Sequence, residues 1–165
     1  MPNLQDNFIN DTSDESRDKP GIFVGLNVIN NVELVEFYRL QGITILSPSE
    51  LHCTVAYSRT YFEHKPDYSS TIVKPDEMED RLSTLGENCL VLKFNNKELQ
   101  DRHNITTEEG AMYDYPTYQP HITLRYSGTS VDLEKVKKPD FEIMLGNEMT
   151  NELNENYVEE NNKPY

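Results

Sequence analysis

Apolar and polar positions alternate through Ile22-Phe23-Val24-Gly25-Leu26-Asn27-Val28-Ile29. Ile22, Val24, Leu26 and Val28 fall on one side; Phe23, Gly25 and Asn27 fall on the other. A period of two puts successive side chains on opposite faces of a strand, so 22–29 reads as β. From Val32 to Leu40 the spacing becomes helical in Leu34, Phe37, Tyr38 and Leu40, with Asn31 placed as an N-cap and Gly42 closing the element. Alternation returns at 50–58, with Leu51, Cys53, Val55 and Tyr57 as the core face and His52, Thr54 and Ala56 opposite. A polar loop, 59–69, leads to a strand at 70–74. Residues 75–88 form a connection, part of it helical, and 89–94 is a further strand. Lys97 to Glu109 has the spacing of a helix in Leu99, Arg102 and Ile105, ended by Gly110. A Tyr- and Pro-rich loop (112–120) delivers a strand at 121–126, and a short helix at 131–136 and a strand at 140–148 complete the pattern.

Strands and helices therefore alternate twice, which indicates an α+β or α/β layer architecture. Residues 1–19 are polar and mostly acidic, and the stretch from about Glu152 to Tyr165 is rich in Asn and Glu. Both read as tails flanking a folded domain at 20–150.

Two of the strands carry the same tripeptide pattern. Leu51-His52-Cys53-Thr54-Val55 recurs as Pro120-His121-Ile122-Thr123-Leu124. His and Thr two apart share one strand face, so each copy presents an imidazole beside a hydroxyl, backed by apolar residues. The repetition suggests two pseudo-symmetric halves whose sheets face each other across a cleft. Two histidines and two hydroxyls around one space suit acid–base chemistry on a phosphodiester. Imidazole titrates near neutrality, so one ring accepts a proton while the other donates one, and a Thr hydroxyl donates to a non-bridging phosphate oxygen. The competing reading is a zinc site, but no third carboxylate or cysteine stands at ligand spacing from His52 and His121; no metal or other cofactor is expected. The remaining histidines, His64 in a polar loop and His103 on a charged helix, read as surface residues.

Charge narrows the partners. A formal net charge of −14 over 165 residues, with no Lys/Arg cluster, argues against long nucleic acid as a partner. It leaves room for a small anion in a local pocket. The two cysteines, Cys53 and Cys89, lie in apolar runs and read as buried free thiols. The chain shows no apolar leader and no run of membrane-spanning length, so a cytoplasmic, non-membrane protein is expected. Nothing in the sequence signals an oligomeric state.

Paired His-x-Thr strands in a chain of this size resemble the 2H phosphoesterase superfamily. The resemblance implies an α+β fold of two pseudo-symmetric lobes, with antiparallel sheets around a central cleft. It implies acid–base roles for His52 and His121 and phosphate-holding roles for Thr54 and Thr123. A closer likeness is carried by Arg17-Asp18-Lys19-Pro20-Gly21-Ile22-Phe23-Val24-Gly25-Leu26, Glu50-Leu51-His52-Cys53-Thr54, Tyr118-Gln119-Pro120-His121-Ile122-Thr123-Leu124 and Gly146-Asn147-Glu148. Together these resemble the phage anti-CBASS protein 1 family. That likeness implies a phage immune-evasion enzyme in the infected host cytoplasm. It would degrade cyclic di- and trinucleotide messengers without metal, a ribose 2′-hydroxyl attacking phosphorus. The alternatives within the same chemistry are RNA 2′,3′-cyclic phosphates and 2′,5′-oligoadenylate; outside it, a sponge that binds nucleotides without cutting them.

Residues that would bind the rest of such a substrate are less marked. The chain has ten Tyr, six Phe and no Trp, whereas the likeness implies a Trp near the cleft. Phe23 is the leading base stacker, its competing role being to pack under the N-terminal tail. Tyr118 stacks on a base or closes its loop. Arg125, on the face of His121 and Thr123, meets a second phosphate or forms a rim salt bridge. Glu148 hydrogen-bonds a base edge or ribose, or is an ordinary solvated carboxylate.

Overall fold

The period-two segments pair into a single antiparallel sheet in the computed structural model, which describes residues 19–86 and 88–153. The strands are β1 (Ile22–Val28), β2 (His52–Ser58), β3 (Thr71–Val73), β4 (Ser83–Leu85), β5 (Cys89–Lys93), β6 (His121–Arg125) and β7 (Ile143–Glu152). The helices are α1 (Asn31–Arg39) and α2 (Lys97–Glu108). Strand order is β3-β7-β1-β2-β6-β5-β4. The mixed class is as expected; among the described residues all seven strands belong to one sheet rather than to separate sheets facing each other. The pseudo-symmetry lies inside one sheet, where the β1–β2 and β5–β6 pairs meet along a β2–β6 seam. The expected terminal tails lie outside the described residues, apart from Lys19 and the last residues of β7. That strand runs on to Glu152 because it pairs along the whole of β1, as far as Ile22 opposite Glu152.

One core covers one face of the sheet. Leu26, Cys53, Leu92 and Ile122 from the strands pack with Leu34 and Tyr38 of α1 and Leu99 of α2. Helix α1 starts one residue earlier than expected, with Asn30 rather than Asn31 at the cap. Asn30 uses its side chain to dock the helix on β7. Its amide donates to Glu33 Oε1 at 2.9 Å and to the Glu142 carbonyl at 2.8 Å, and its oxygen accepts from the Met144 N–H at 2.9 Å. At the far end Gly42 adopts φ +86°, and the Ile43 N–H returns to the Tyr38 carbonyl at 3.0 Å, a left-handed closure that glycine makes without strain.

Helix α2 is capped by Asn96, whose side chain accepts from the Leu99 N–H at 3.0 Å. Its packed side differs from the apolar spacing. Ile105 is 48% exposed, while Arg102, His103 and Thr106 join Leu99 in burial. The connection 75–88 contains one 3-10 turn, Pro75–Glu77, and then β4, a strand of three residues with no apolar period. Gly86 and Asn88 turn β4 into β5 with φ of +56° and +72°. The helix expected at 131–136 is a 3-10 turn, Leu133–Lys135.

Candidate active site

The two motif strands are neighbours, with Cys53 opposite Ile122. In an antiparallel pair that register continues by one residue each way, so His52 stands across from Thr123 and Thr54 across from His121. Each imidazole lies beside its own Thr along the strand and beside the other motif's Thr across it. Cross-strand neighbours have Cβ atoms about 4.5–5.5 Å apart. The outer strands extend the array: Asn27 pairs with His52 and Gly25 with Thr54, while Lys93 pairs with His121 and Val91 with Thr123. These eight residues form two rows on the face away from the helices.

The pseudo-symmetry extends to irregularities. Opposite Val24 and Gly25 the β2 register skips Val55, and opposite Leu90 and Val91 the β6 register skips Leu124. In both motifs, therefore, the residue after the Thr is a bulge, which leaves ladder groups in need of other partners. The Val55 carbonyl accepts from His103 Nδ1 at 2.8 Å, and the Leu124 carbonyl accepts from the Leu46 N–H at 2.7 Å. Tyr118 donates its hydroxyl to the Thr54 carbonyl at 2.6 Å and stacks flat on His103, with ring centroids 4.2 Å apart.

The bulges change which side chains reach the site. Beyond Val55, Ala56 and Ser58 turn inward, and Tyr57, expected in the core, becomes the half-buried register partner of Phe23. Phe23 itself meets His52 edge-on, with ring centroids 5.5 Å apart. Beyond Leu124, Arg125 pairs with Leu90, a core residue, and so leaves the face of His121 and Thr123. Its guanidinium donates to the Thr44 carbonyl at 2.9 Å and to the Ser127 carbonyl and hydroxyl.

Both motif histidines are held by the same device. His52 Nδ1 lies 2.8 Å from the Glu50 carbonyl, and His121 Nδ1 lies 2.9 Å from the Gln119 carbonyl. A carbonyl only accepts, so Nδ1 carries the hydrogen in each ring, and in the neutral form the lone pair is on Nε2. Burial holds both rings below the usual histidine range, against the pull of those carbonyls; His52 and Lys93 push His121 further down.

Glu148 and the other two histidines lie elsewhere. Glu148 pairs with Leu26, on the core side of the sheet, because Asn147 (φ +53°) bulges out of β7 just before it. It is buried and fully engaged: Arg102 Nη1 donates at 2.9 Å, His64 Nε2 at 2.6 Å and the Asp67 N–H at 2.9 Å. His64, expected at the surface, has a side chain 3% exposed, with Nδ1 2.6 Å from Glu109. His103 is buried under the first motif rather than exposed on its helix. Local sequence carried no sign of these roles, since the acceptors come from other elements. Cys53 is buried, which pushes its thiol up to about 12, whereas Cys89 is only half-buried. Among the described residues, no three His, Cys, Asp or Glu side chains are grouped to hold a metal ion, and no helix is long and apolar enough to cross a membrane.

An antiparallel sheet with helices on one face and two imidazole–hydroxyl pairs meeting on the other defines the class of this protein. The family model described as "Anti-CBASS protein Acb1" matches residues 20–160, and the chain belongs to that family. A protein of that name from Caulobacter sp. (strain RHG1) is 30% identical over 159 residues, 92% of this chain and 25% of its own length. One from Vibrio phage KVP40 is 33% identical over 111 residues, 64% of this chain and 72% of its own. One from Enterobacteria phage T4 is 32% identical over 78 residues, 47% of this chain and 51% of its own. The chain thus spans about a quarter of the length of the Caulobacter relative, and 23% of one from Sphingomonas paeninsulae.

Proposed function

We propose that this protein is a metal-independent phosphodiesterase of the 2H phosphoesterase type that opens cyclic di- and trinucleotides. In that role it would counter CBASS signalling in the cytoplasm of an infected bacterium. The observation that carries the reading is the pair of seam-related His–Thr sets, each imidazole fixed through Nδ1 so that Nε2 serves the substrate. The family membership supports the immune-evasion role through the name its relatives bear.

The chemistry is transfer within the substrate. One histidine takes the proton of a ribose 2′-hydroxyl, whose oxygen bonds to the adjacent phosphorus. The phosphorus–O5′ bond breaks, and the other histidine protonates the departing 5′ oxygen. The product is a 2′,3′-cyclic phosphate. Water then adds to phosphorus with the histidines in exchanged roles: the ring left neutral takes the water proton, and the ring left charged protonates the 2′ oxygen as its bond to phosphorus breaks. Thr54 and Thr123 donate to the non-bridging oxygens, where charge builds in the transition state. Lys93, beside His121, adds a positive charge at the same place. Phe23, with its register partner Tyr57, stands at one end of the site and would stack a base there; Asn27 lines a hollow with Ile29, Leu51 and Asn147 at the other.

The test incubates the protein with EDTA and a panel of cyclic dinucleotides, cyclic trinucleotides and linear RNAs, and separates the products. Cleavage of the cyclic substrates is expected with EDTA present. Cleavage of linear RNA alone, or binding without cleavage, would overturn the proposal. His52→Ala and His121→Ala are each expected to lower turnover by about 10²–10⁴-fold in a protein that still folds.

A further inference from the structure

The charges around the two motifs depart from the pseudo-twofold relation at two pairs of equivalent positions, both in the same sense. The residue two before His52 is Glu50; the residue two before His121 is Gln119. The outer-strand partner of His52 is Asn27; that of His121 is Lys93. Equivalent positions thus hold a carboxylate and an amide around His52, but an amide and an ammonium around His121. Glu50 Oε2 is buried and has no hydrogen-bond partner among the described residues, so its charge acts through poorly screened surroundings.

We propose that Glu50 and Lys93 divide the labour of two otherwise equivalent histidines: His121 takes the proton of the attacking 2′-hydroxyl, and His52 gives a proton to the leaving 5′ oxygen. The assignment rests on the phosphodiesterase reading above and adds to it the direction of proton flow. A neighbouring anion favours a charged imidazole, which is what a general acid must be at the start. A neighbouring cation favours a neutral one, which is what a base must be. Among the described residues, the neighbours that the register and ring contacts place beside the rings add no opposing charge: Phe23 and Thr123 beside His52 are neutral, as are Thr54 and Gln119 beside His121. Each histidine faces the other, which disfavours both being charged at once and so sharpens the division. The backbone carbonyls of Glu50 and Gln119 pull up both rings against their burial; beyond that shared effect the Glu50 charge raises His52, while the Lys93 charge lowers His121. Glu50 acts here as a positioning residue, through the ring it flanks. Lys93 acts through His121 in the same way, whatever it also contributes to phosphate binding.

Replacing the leaving 5′ oxygen of a cyclic dinucleotide by sulfur tests the assignment directly, because a thiolate leaves without a proton. On the oxygen substrate, His52→Ala and His121→Ala are each expected to lose about 10²–10⁴-fold in rate. On the sulfur substrate, His52→Ala should come within about tenfold of the wild type, while His121→Ala should keep its full loss. Rescue of His121→Ala instead, or of neither variant, would overturn the assignment; His52→Gln supplies a second substitution if the alanine variant folds poorly. In the full chain, NMR titration of the histidine ring protons reads the charge division independently. His52 should titrate above His121, with Glu50→Gln lowering the His52 midpoint and Lys93→Met raising that of His121. The reverse order would overturn the division. A wild-type protein that cleaves neither substrate would refute the phosphodiesterase reading, while the titration order would still decide how Glu50 and Lys93 bias the two rings.

Discussion

Cys53 and Ile122 face each other across the β2–β6 seam, and this one pairing brings the two motifs into a single site. Both side chains are fully buried on the helix-covered face, so the alternate residues, His52 with Thr54 and His121 with Thr123, have to meet on the other. A slip of one residue would place an imidazole in the core, which the apolar backing forbids.

Thr54→Val and Thr123→Val keep shape and burial while removing a donor. Each is expected to lower kcat by about 10²-fold, the scale for losing one donor to a developing oxyanion. The melting temperature should stay near that of the wild type. Rapid-quench single-turnover assays separate the chemical step from product release. An unchanged single-turnover rate in both variants would remove the hydroxyls from the chemistry.

The motifs were readable because period-two alternation survives where one strand face packs and the other does not. Leu51, Cys53, Ile122 and Leu124 announce the packed face, and His52 and His121 fall on the other by parity. Parity failed one residue further on. The bulges at Val55 and Leu124 depend on what β1 and β5 offer in register, so Tyr57 and Arg125 exchange the faces that strict alternation gives them. Strand β4 is not legible in the sequence because three residues carry no period. The burial of His64, His103 and Glu148 is not legible in the sequence because their partners, Glu109, the Val55 carbonyl and Arg102, stand on other elements, and only the closed fold makes buried polar groups satisfiable there.

Gly25 lies under the ring of Phe23: a Cβ built on it would sit 2.6 Å from Cζ and 2.9 Å from Cε1 of that ring. The atoms met are the far end of a half-buried side chain, so Gly25→Ala should fold but move Phe23 off His52. If Phe23 stacks a base, the loss is worth about 1–3 kcal/mol, or roughly 5- to 150-fold in KM with kcat less affected. Steady-state kinetics on a cyclic dinucleotide, with Phe23→Ala alongside, measures it. Equal KM in wild type and both variants would assign Phe23 to packing alone.

Glu148→Ala removes a buried carboxylate from between Arg102 and His64. Leaving those cations without their partner is expected to destabilise the fold by about 3–5 kcal/mol. Urea denaturation would record the loss, and kcat/KM of the protein still folded should be close to wild type. A raised KM with unchanged stability would instead restore to Glu148 the substrate contact that its sequence position suggested.

The same cluster gives stability a pH dependence of definite sign. Both ring nitrogens of His64 lie 2.6 Å from carboxylate oxygens, and ionised carboxylates only accept, so the ring must be the doubly protonated cation. Burial opposes that charge, but the hydrogen bonds to Glu109 and Glu148 outweigh it and raise His64 above the usual histidine range. Arg102 and Asp67 complete the charged surroundings. A raised folded-state value means that the contribution is complete below about pH 6.5 and is lost as pH rises through the folded value. His52 and His121 act oppositely, their stabilising neutral forms being lost as pH falls below that same point. Between pH 6.5 and 8 the remaining change from His52 and His121 has the opposite sign, so a fall in the urea midpoint that disappears in a His64 variant belongs to His64; stopping at pH 8 limits the part played by the Cys53 and Cys89 thiols, which ionise more readily in the unfolded chain. The wild-type midpoint should fall across this window. His64→Gln should start lower and show no such fall, since an amide there has no proton to lose. Parallel slopes in the two proteins would show that His64 is not the titrating group.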